Sequence, residues 1–183
     1  LVCEGVNNIM KKTIISIMFS SMFLLMLAAC TEATVGNKQE IDIKEIIHDY
    51  SVGEFTDVSA SITSDELIVT DQKNEKTIYE LPEDEFFVSI APYIDVTHDC
   101  AIHSLTGCQG ELIEQDFQVT IYDEEGNVVM DQEMQSFKNG FIDLWLPRNQ
   151  TFQLQIKYED KIAESEISTF NGDNTCITTM QLI

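Results

Sequence analysis

Residues 116–122 read DFQVTIY, and this stretch decides the fold class. Its apolar side chains Phe117, Val119 and Ile121 alternate with polar ones, which is the period-2 pattern of a strand with one buried face. The next residues, DEEGN at 123–127, have the composition of a hairpin turn, and a strand-like run follows at 128–131. The stretch therefore predicts an antiparallel strand pair.

The same kind of pattern continues to the end of the chain. Further strands are predicted at 141–146, 152–158 and 162–168, each preceded by turn-forming residues. Five short strands at a spacing of roughly ten residues indicate an antiparallel sandwich. We therefore expect residues 116–183 to form a β-sandwich-like C-terminal region.

The segment 41–95 begins with helical periodicity and then turns strand-like. Apolar residues fall at i, i+3, i+4 and i+7 behind Asp42, a good N-cap, and Gly53 ends the pattern. Strand-like runs follow at 60–63, 67–70, 77–81 and 86–90. The predicted fold class is α+β, mainly β, with a short N-terminal helix and strands ahead of the C-terminal region.

The residues before this segment have the composition of an export signal. Residues 10–29 begin with Met-Lys-Lys and continue as an apolar run that ends in Leu-Ala-Ala before Cys30. This ending is similar to the bacterial lipobox, which predicts lipidation of Cys30 and removal of the peptide before it. An uncleaved anchor is the alternative, but the run of about 16 residues is shorter than the roughly 20 that a span needs. Residues 1–9 are interpreted as spurious upstream translation, and 30–40 as a flexible tether.

The charge of the chain excludes two classes of partner. There are 32 Asp and Glu against 10 Lys and Arg, a formal net charge of −22. Phosphate neutralisation supplies most nucleic-acid affinity, so we expect no nucleic-acid binding. An anionic membrane surface would repel the chain, which leaves a lipid anchor as the only expected membrane contact.

Residues 96–115 carry the chemistry, because two cysteines and two histidines fall within eleven positions. These are His98, Cys100, His103 and Cys108, and a third exported thiol is Cys176. Thiols tend to form disulfides outside the cytoplasm, but three thiols cannot all pair within one chain. The residues leave three alternatives open: a disulfide with a spare thiol, a copper or zinc site, or a redox pair. The Cys-x7-Cys spacing differs from the C-x2-C of zinc ribbons and thioredoxin-like enzymes.

Five longer blocks resemble the CueP family of exported copper-binding proteins. They run in order over most of the chain from about residue 42 to the end: 86–93 (FFVSIAPY), 97–100 (THDC), 103–112 (HSLTGCQGEL), 139–148 (NGFIDLWLPR) and 175–182 (TCITTMQL). The family's cysteines and nearby histidines fall on Cys100, Cys108, Cys176, His98 and His103. The resemblance implies that these residues bind copper, as Cu(I) in preference to zinc.

The resemblance also implies a role outside the cytoplasm. We expect a protein that sequesters Cu(I) through thiolates and passes it to a partner or supports copper tolerance. The alternatives are a thiol-disulfide or Cu(II)-reducing redox protein and a disulfide-stapled surface interaction module. No catalytic arrangement is identifiable, so no enzyme is expected. The expected partners are the copper ion, a copper-requiring exported protein and a second copy of the chain.

The predicted lipid anchor departs from the family pattern. The best-known members are soluble in a Gram-negative periplasm, whereas Cys30 predicts attachment to the outer face of a bacterial cell membrane. A lipid anchor favours a Gram-positive cell surface, so the family's delivery partners do not transfer to this chain.

Overall fold

The computed structural model describes residues 42–183, which form one α-helix and eleven β-strands. The helix α1 spans Ile43–Val52. The strands are β1 (Val58–Ile62), β2 (Glu66–Asp71), β3 (Lys76–Glu80), β4 (Glu85–Ile90), β5 (His103–Ser104), β6 (Asp116–Tyr122), β7 (Val128–Gln135), β8 (Ile142–Pro147), β9 (Thr151–Tyr158), β10 (Lys161–Ser168) and β11 (Cys176–Ile177). The prediction of a mainly β fold with a short N-terminal helix is confirmed.

The helix α1 begins and ends where the sequence predicts. The Asp42 carboxylate accepts hydrogen bonds from the N–H groups of Lys44 and Glu45, at 3.0 and 3.3 Å, and so satisfies two free donors of the first turn. At the other end, the Gly53 N–H donates to the Asp49 carbonyl. The apolar face of the helix, with Ile47 fully buried, packs on the first sheet described below.

The strands form three sheets. The N-terminal sheet has the order β3-β2-β1-β5, the middle sheet β11-β4-β8, and the C-terminal sheet β10-β9-β6-β7. Pairing within the N-terminal and C-terminal sheets is antiparallel, and β4 is antiparallel to β8. In contrast, β11 runs parallel to β4, with Cys176 opposite Ser89.

The main core lies between the middle and C-terminal sheets. Alternate residues of β4 (Phe86, Val88 and Ile90) face the alternate residues Phe117 and Val119 of β6, as the period-2 pattern requires. Full burial of each such side chain contributes about 1.5–3 kcal/mol, so this cluster supplies much of the stability. The sandwich predicted for residues 116–183 also includes β4, a strand from outside those residues, which lies between β11 and β8 in the middle sheet.

The opposite face of the middle sheet packs against the N-terminal sheet and α1. Phe87 and Trp145 project from this face into a second cluster that includes Ile62 and Leu67. Further along the same face, Phe141 and Cys176 form a third, smaller cluster. The middle sheet is therefore covered on both faces. Cys100 and Cys108 pack against Cys176 in the third cluster, on the face that the N-terminal sheet also covers.

The segment boundaries drawn from the sequence stay predictions. Residues 1–9, the signal peptide 10–29, the tether 30–40 and Cys30 lie outside the described residues. Among residues 42–183, no helix has the length and apolar character needed to cross a membrane.

Candidate metal centre

Cys176 is placed by the parallel strand β11. The N–H of Ser89 donates to the Thr175 carbonyl at 2.8 Å, and the N–H of Ala91 donates to the Ile177 carbonyl at 2.9 Å. These bonds hold the backbone on both sides of Cys176 against the centre of the fold. The Cys176 side chain is only 1% exposed, so its sulfur has a fixed position inside the protein.

Cys100 lies in the long loop between β4 and β5 and is tied to Cys176 through its neighbour. The Ala101 carbonyl accepts hydrogen bonds from the N–H groups of Thr175 and Cys176, at 3.0 and 3.2 Å. The start of the loop is held separately, because the Glu111 carboxylate accepts from the N–H groups of Ile94 and Asp95. Hydrogen bonds to residues distant in the sequence therefore fix the loop at both ends.

The Glu111 carboxylate is stabilised in its charged form. Partial desolvation acts to raise the pKa of Glu111, but the hydrogen bonds from Ile94, Asp95 and Val96 outweigh it and hold this pKa below its usual value. A charged acceptor strengthens the bonds that define the loop entrance.

His103 is placed by β5 at the edge of the N-terminal sheet. It pairs with Ile62 of β1, and its N–H donates to the hydroxyl of Thr175 at 3.1 Å. That hydroxyl donates in turn to the Ile62 carbonyl at 2.6 Å. Thr175 thus links the strand of His103 to the residue that precedes Cys176.

Cys108 lies in the tight turn after β5. Its N–H donates to the Ser104 carbonyl at 2.9 Å, and the Gly110 N–H donates to the Asn139 carbonyl at 2.6 Å. Glycine is required at 110 because a Cβ there would lie 2.6 Å from the Gly140 carbonyl oxygen. The close approach of two backbones fixes the turn that carries Cys108.

These three regions bring four donor atoms together. One ligand atom from each of Cys100, His103, Cys108 and Cys176 lies within 4.8 Å of every other. The structure contains a disulfide between Cys100 and Cys176, and Cys108 is the free thiol among the described residues. The sulfurs of Cys100 and Cys108 are 3.6 Å apart. The three sulfurs therefore lie within the 4–5 Å span expected for ligands of one ion.

The His103 imidazole is buried without hydrogen bonds. Its side chain is 0% exposed, and neither ring nitrogen has a hydrogen-bond partner within residues 42–183. Burial, with a smaller effect of His98, lowers the pKa of His103 to about 4. The ring is therefore neutral at neutral pH, which is the form that binds metals. A buried, unpaired nitrogen costs free energy, so it fits a ligand-binding role.

The other predicted ligand, His98, is near enough to influence His103 but is not among the four clustered donors. It is exposed, and its ring centroid is 6.4 Å from that of Phe141. The third histidine, His48, is exposed on α1. Met180 is 1% exposed and packs in the sandwich core.

Sequence reasoning gave no role to Thr175 or Asp143. Thr175 directly precedes Cys176, and a small hydroxyl residue beside a ligand is a weak signal for local hydrogen bonding. Asp143 stands alone as an acid in the apolar run of residues 141–146, and a charge in a buried strand signals a partner. The partners of Asp143 are Ser51 and Ser89, whose hydroxyls each donate a hydrogen bond of 2.5 Å to the Asp143 carboxylate.

Comparisons with known proteins show which family the chain resembles. The family model described as periplasmic copper-binding protein CueP matches residues 42–181. The crystal structure of S.CueP is similar at 38% sequence identity with a TM-score of 0.73, covering 77% of this chain and 88% of that chain. Comparison with curated proteins gave no match. Because the family model spans most of the chain and all four clustered donors, the resemblance is confirmed, and the chain belongs to the CueP family.

Proposed function

We propose that the reduced protein binds one Cu(I) ion outside the cytoplasm through the thiolates of Cys100, Cys108 and Cys176. The observation that carries the proposal is the convergence of these sulfurs and a His103 nitrogen within 4.8 Å. Thiolate–metal bonds near 2.3 Å, by analogy with zinc, allow ligand atoms about 4–4.6 Å apart around one ion. The protein acts in this proposal as a copper carrier and not as an enzyme.

The donor set favours a soft ion. Three thiolates select Cu(I) or zinc over hard cations, and neutral imidazole suits both metals. A Cys3His set is also a known structural zinc site, so zinc is the competitor to be tested directly. The family's copper-binding description, together with the family's place outside the cytoplasm, favours copper.

The exposure of the donors supports transfer as well as storage. Cys176 and His103 are buried, whereas Cys100 and Cys108 are only partly buried. A copper ion held between them has a protected side and an accessible side. We propose that a partner's ligands approach from the side of Cys100 and Cys108, so that sequestered copper can be handed to an exported protein.

In this proposal the Cys100–Cys176 disulfide must be reduced before the protein binds copper. The Cys100–Cys176 disulfide removes two thiolates from the donor set, and export places the protein where disulfides persist. The oxidised protein should therefore bind Cu(I) weakly, through Cys108 and His103 at most.

The test is a Cu(I) titration of the reduced mature protein against a chromophoric Cu(I) chelator, with Zn²⁺ titrated in parallel. We expect one Cu(I) per chain and a marked preference for Cu(I). Replacing any one of Cys100, Cys108 or Cys176 by Ser should weaken binding at least tenfold, which is about 1.4 kcal/mol. A Ser variant that binds like the parent would remove that cysteine from the site, and no Cu(I) binding at all would refute the proposal.

A second candidate is Cu(II) reduction, favoured by the adjacent thiols. Oxidation of two thiols to the Cys100–Cys176 disulfide releases two electrons, enough to reduce two Cu(II) to Cu(I), with two protons lost to solvent. The formation of Cu(I) and loss of two thiols, when Cu(II) is added to reduced protein, would support it. A stapled surface module, the third alternative, predicts neither reaction.

We also propose that Cys30 anchors the mature protein by a lipid. The proposal rests on the Leu-Ala-Ala-Cys ending of residues 27–30. Replacing Cys30 by Ala should move the protein from the membrane fraction to unprocessed or soluble forms. A Cys30→Ala protein that is still processed and membrane-bound as before would refute the lipid anchor.

A further inference from the structure

The three sulfurs are arranged around Cys100. Its sulfur is bonded to Cys176 and is 3.6 Å from the free Cys108 sulfur, which is the contact distance of two sulfur atoms. The Cys108 and Cys176 sulfurs lie within 4.8 Å of each other. Thiol–disulfide exchange begins with attack of a thiolate on a disulfide sulfur, nearly along the axis of the S–S bond. The 4.8 Å limit places the Cys108 sulfur to the side of that axis, so exchange also requires rotation of the cysteine side chains.

We propose that the oxidised protein exchanges its disulfide internally, so that Cys108 and Cys176 alternate as the partner of Cys100. In the forward step the Cys108 thiolate attacks the Cys100 sulfur. The Cys108–Cys100 bond forms, the Cys100–Cys176 bond breaks, and its electron pair leaves on the Cys176 thiolate. The proton lost by Cys108 is returned by solvent to Cys176. One disulfide and one thiol are present before and after, so no oxidant or reductant is needed.

The backbone contacts allow this step. Cys176 is held by β11, and Cys108 is held by the turn anchored to Ser104. Cys100, in contrast, lies outside any strand, in the loop between β4 and β5. To change partners, its sulfur needs to approach Cys108 from 3.6 Å to a bond length of about 2.05 Å. The Ala101 carbonyl stays bonded to the N–H groups of Thr175 and Cys176, so the step is a rotation of the Cys100 and Cys108 side chains while the backbone stays in place.

The exchange alters which thiol is available. In the form described here the free thiol is Cys108, which is partly exposed. After exchange the free thiol is Cys176, which is 1% exposed and lies beside His103. The oxidised protein therefore alternates between an accessible and a protected thiol, and reagents outside the protein react through Cys108.

This inference deepens the proposed function and rests on it only in assigning the same three sulfurs to copper. Exchange takes place in metal-free protein, so disulfide mapping tests it without copper. The Cu(I) titration tests the proposed function and the disulfide mapping tests the exchange, so either result can be negative without the other.

The experiment maps the disulfides of the metal-free oxidised protein. The protein is kept at pH 8 with a chelator, quenched with acid, unfolded, and labelled at free thiols with N-ethylmaleimide under mildly acidic conditions. Pepsin digestion at pH 2 prevents rearrangement, and cleavage near Leu105 separates Cys100 from Cys108. Mass spectrometry then gives the labelled fraction of each cysteine.

We expect the label to divide between Cys108 and Cys176, with Cys176 labelled at least tenfold above its level in a Cys108→Ser control. In that control the attacking thiol is missing and Cys176 stays in its disulfide. Label on Cys108 alone, with Cys176 at the control level, would overturn the proposal.

A second variant tests the reach of Cys108. In Cys176→Ser, oxidised glutathione should produce a Cys100–Cys108 disulfide, seen as the loss of both thiols without bound glutathione. If both positions instead carry glutathione or remain free while wild-type protein oxidises normally, Cys108 does not reach Cys100 and the exchange is refuted.

Discussion

The backbone N–H of His103 donates a 3.1 Å hydrogen bond to the side chain of Thr175, the residue before Cys176. The same hydroxyl donates to the Ile62 carbonyl at 2.6 Å, and Thr175 is 1% exposed. One buried hydroxyl thus joins the edge of the N-terminal sheet to the edge of the middle sheet. The four candidate ligands come from both sides of this junction.

Replacing Thr175 by Val should therefore destabilise the protein. The change preserves shape but leaves the Ile62 carbonyl and the His103 N–H without their partner, at about 1–3 kcal/mol for each buried group. Urea unfolding of the reduced, metal-free protein measures the loss. Thr175→Ser keeps the hydroxyl and should retain most of the stability. Equal stability of the Val variant and wild type would show that the hydroxyl does not support the junction.

The backbone contact between Gly110 and Gly140 gives a second prediction. A Cβ at 110 would lie 2.6 Å from a backbone carbonyl, which cannot move aside without shifting the chain. Gly110→Ala should lower the free energy of unfolding by about 1–3 kcal/mol, as overpacking does elsewhere.

Gly107→Ala is the matched control for this change. Its Cβ would meet the Ser104 hydroxyl at 2.8 Å, and that side-chain end is free to rotate away. The two variants are compared by denaturant midpoint. If Gly107→Ala is as destabilising as Gly110→Ala, the close backbone approach is not the cause.

The local features of this fold could be predicted from sequence because they depend on neighbouring residues. The N-cap Asp42, the apolar face of α1 and the alternation in β6 are each encoded within a few positions, and all are present. The position of β4 at the centre of the middle sheet could not be predicted this way. Its partners, β8 and β11, lie about 50 and 90 residues further on, and their pairing depends on tertiary packing.

The same division applies to the candidate metal centre. Clustering of Cys100, His103 and Cys108 follows from their spacing, and Cys176 was indicated by the count of exported thiols and by the family resemblance. Sequence gave no means of separating His98 from His103, because both flank Cys100 at similar distances along the chain. Burial separates them: His103 follows the edge strand into the interior, whereas His98 stays on the exposed part of the loop.

The carboxylate of Asp143 predicts a pH effect on stability. Burial raises the pKa of Asp143, against the opposing influence of the Ser51 and Ser89 hydrogen bonds and of nearby His48. A raised pKa means that the folded protein binds a proton more tightly than the unfolded chain. The contribution of Asp143 to stability is then largest below pH 4 and declines as the pH rises through its folded pKa.

The comparison is between wild type and Asp143→Asn, which does not titrate at this position. The free energy of unfolding of wild type minus that of the variant should decrease between pH 4 and 8. Taking this difference removes the general repulsion among the many other acids. A difference that increases with pH would mean that the serine hydroxyls dominate and the pKa is lowered.

The two histidines near Cys100 provide the sharpest test of the metal centre. His103 is fully buried with both ring nitrogens lacking partners among the described residues, an arrangement that costs free energy in the absence of a ligand. Replacing it by Leu fills similar space and removes the unpaired nitrogens. We therefore expect His103→Leu to raise the free energy of unfolding of the reduced, metal-free protein by about 1 kcal/mol or more.

The same variant should bind Cu(I) at least tenfold more weakly, a loss of about 1.4 kcal/mol, because it lacks a donor next to the three sulfurs. His98→Leu is the control, and both its stability and its copper affinity should stay close to wild type, since His98 is exposed and outside the cluster. Chelator competition measures affinity, and urea unfolding measures stability. A gain in stability combined with a loss of affinity identifies His103 as a ligand kept at a cost to the metal-free fold. If His103→Leu binds Cu(I) as tightly as wild type, or if His98→Leu carries the loss, the copper ion is held by the thiolates without His103.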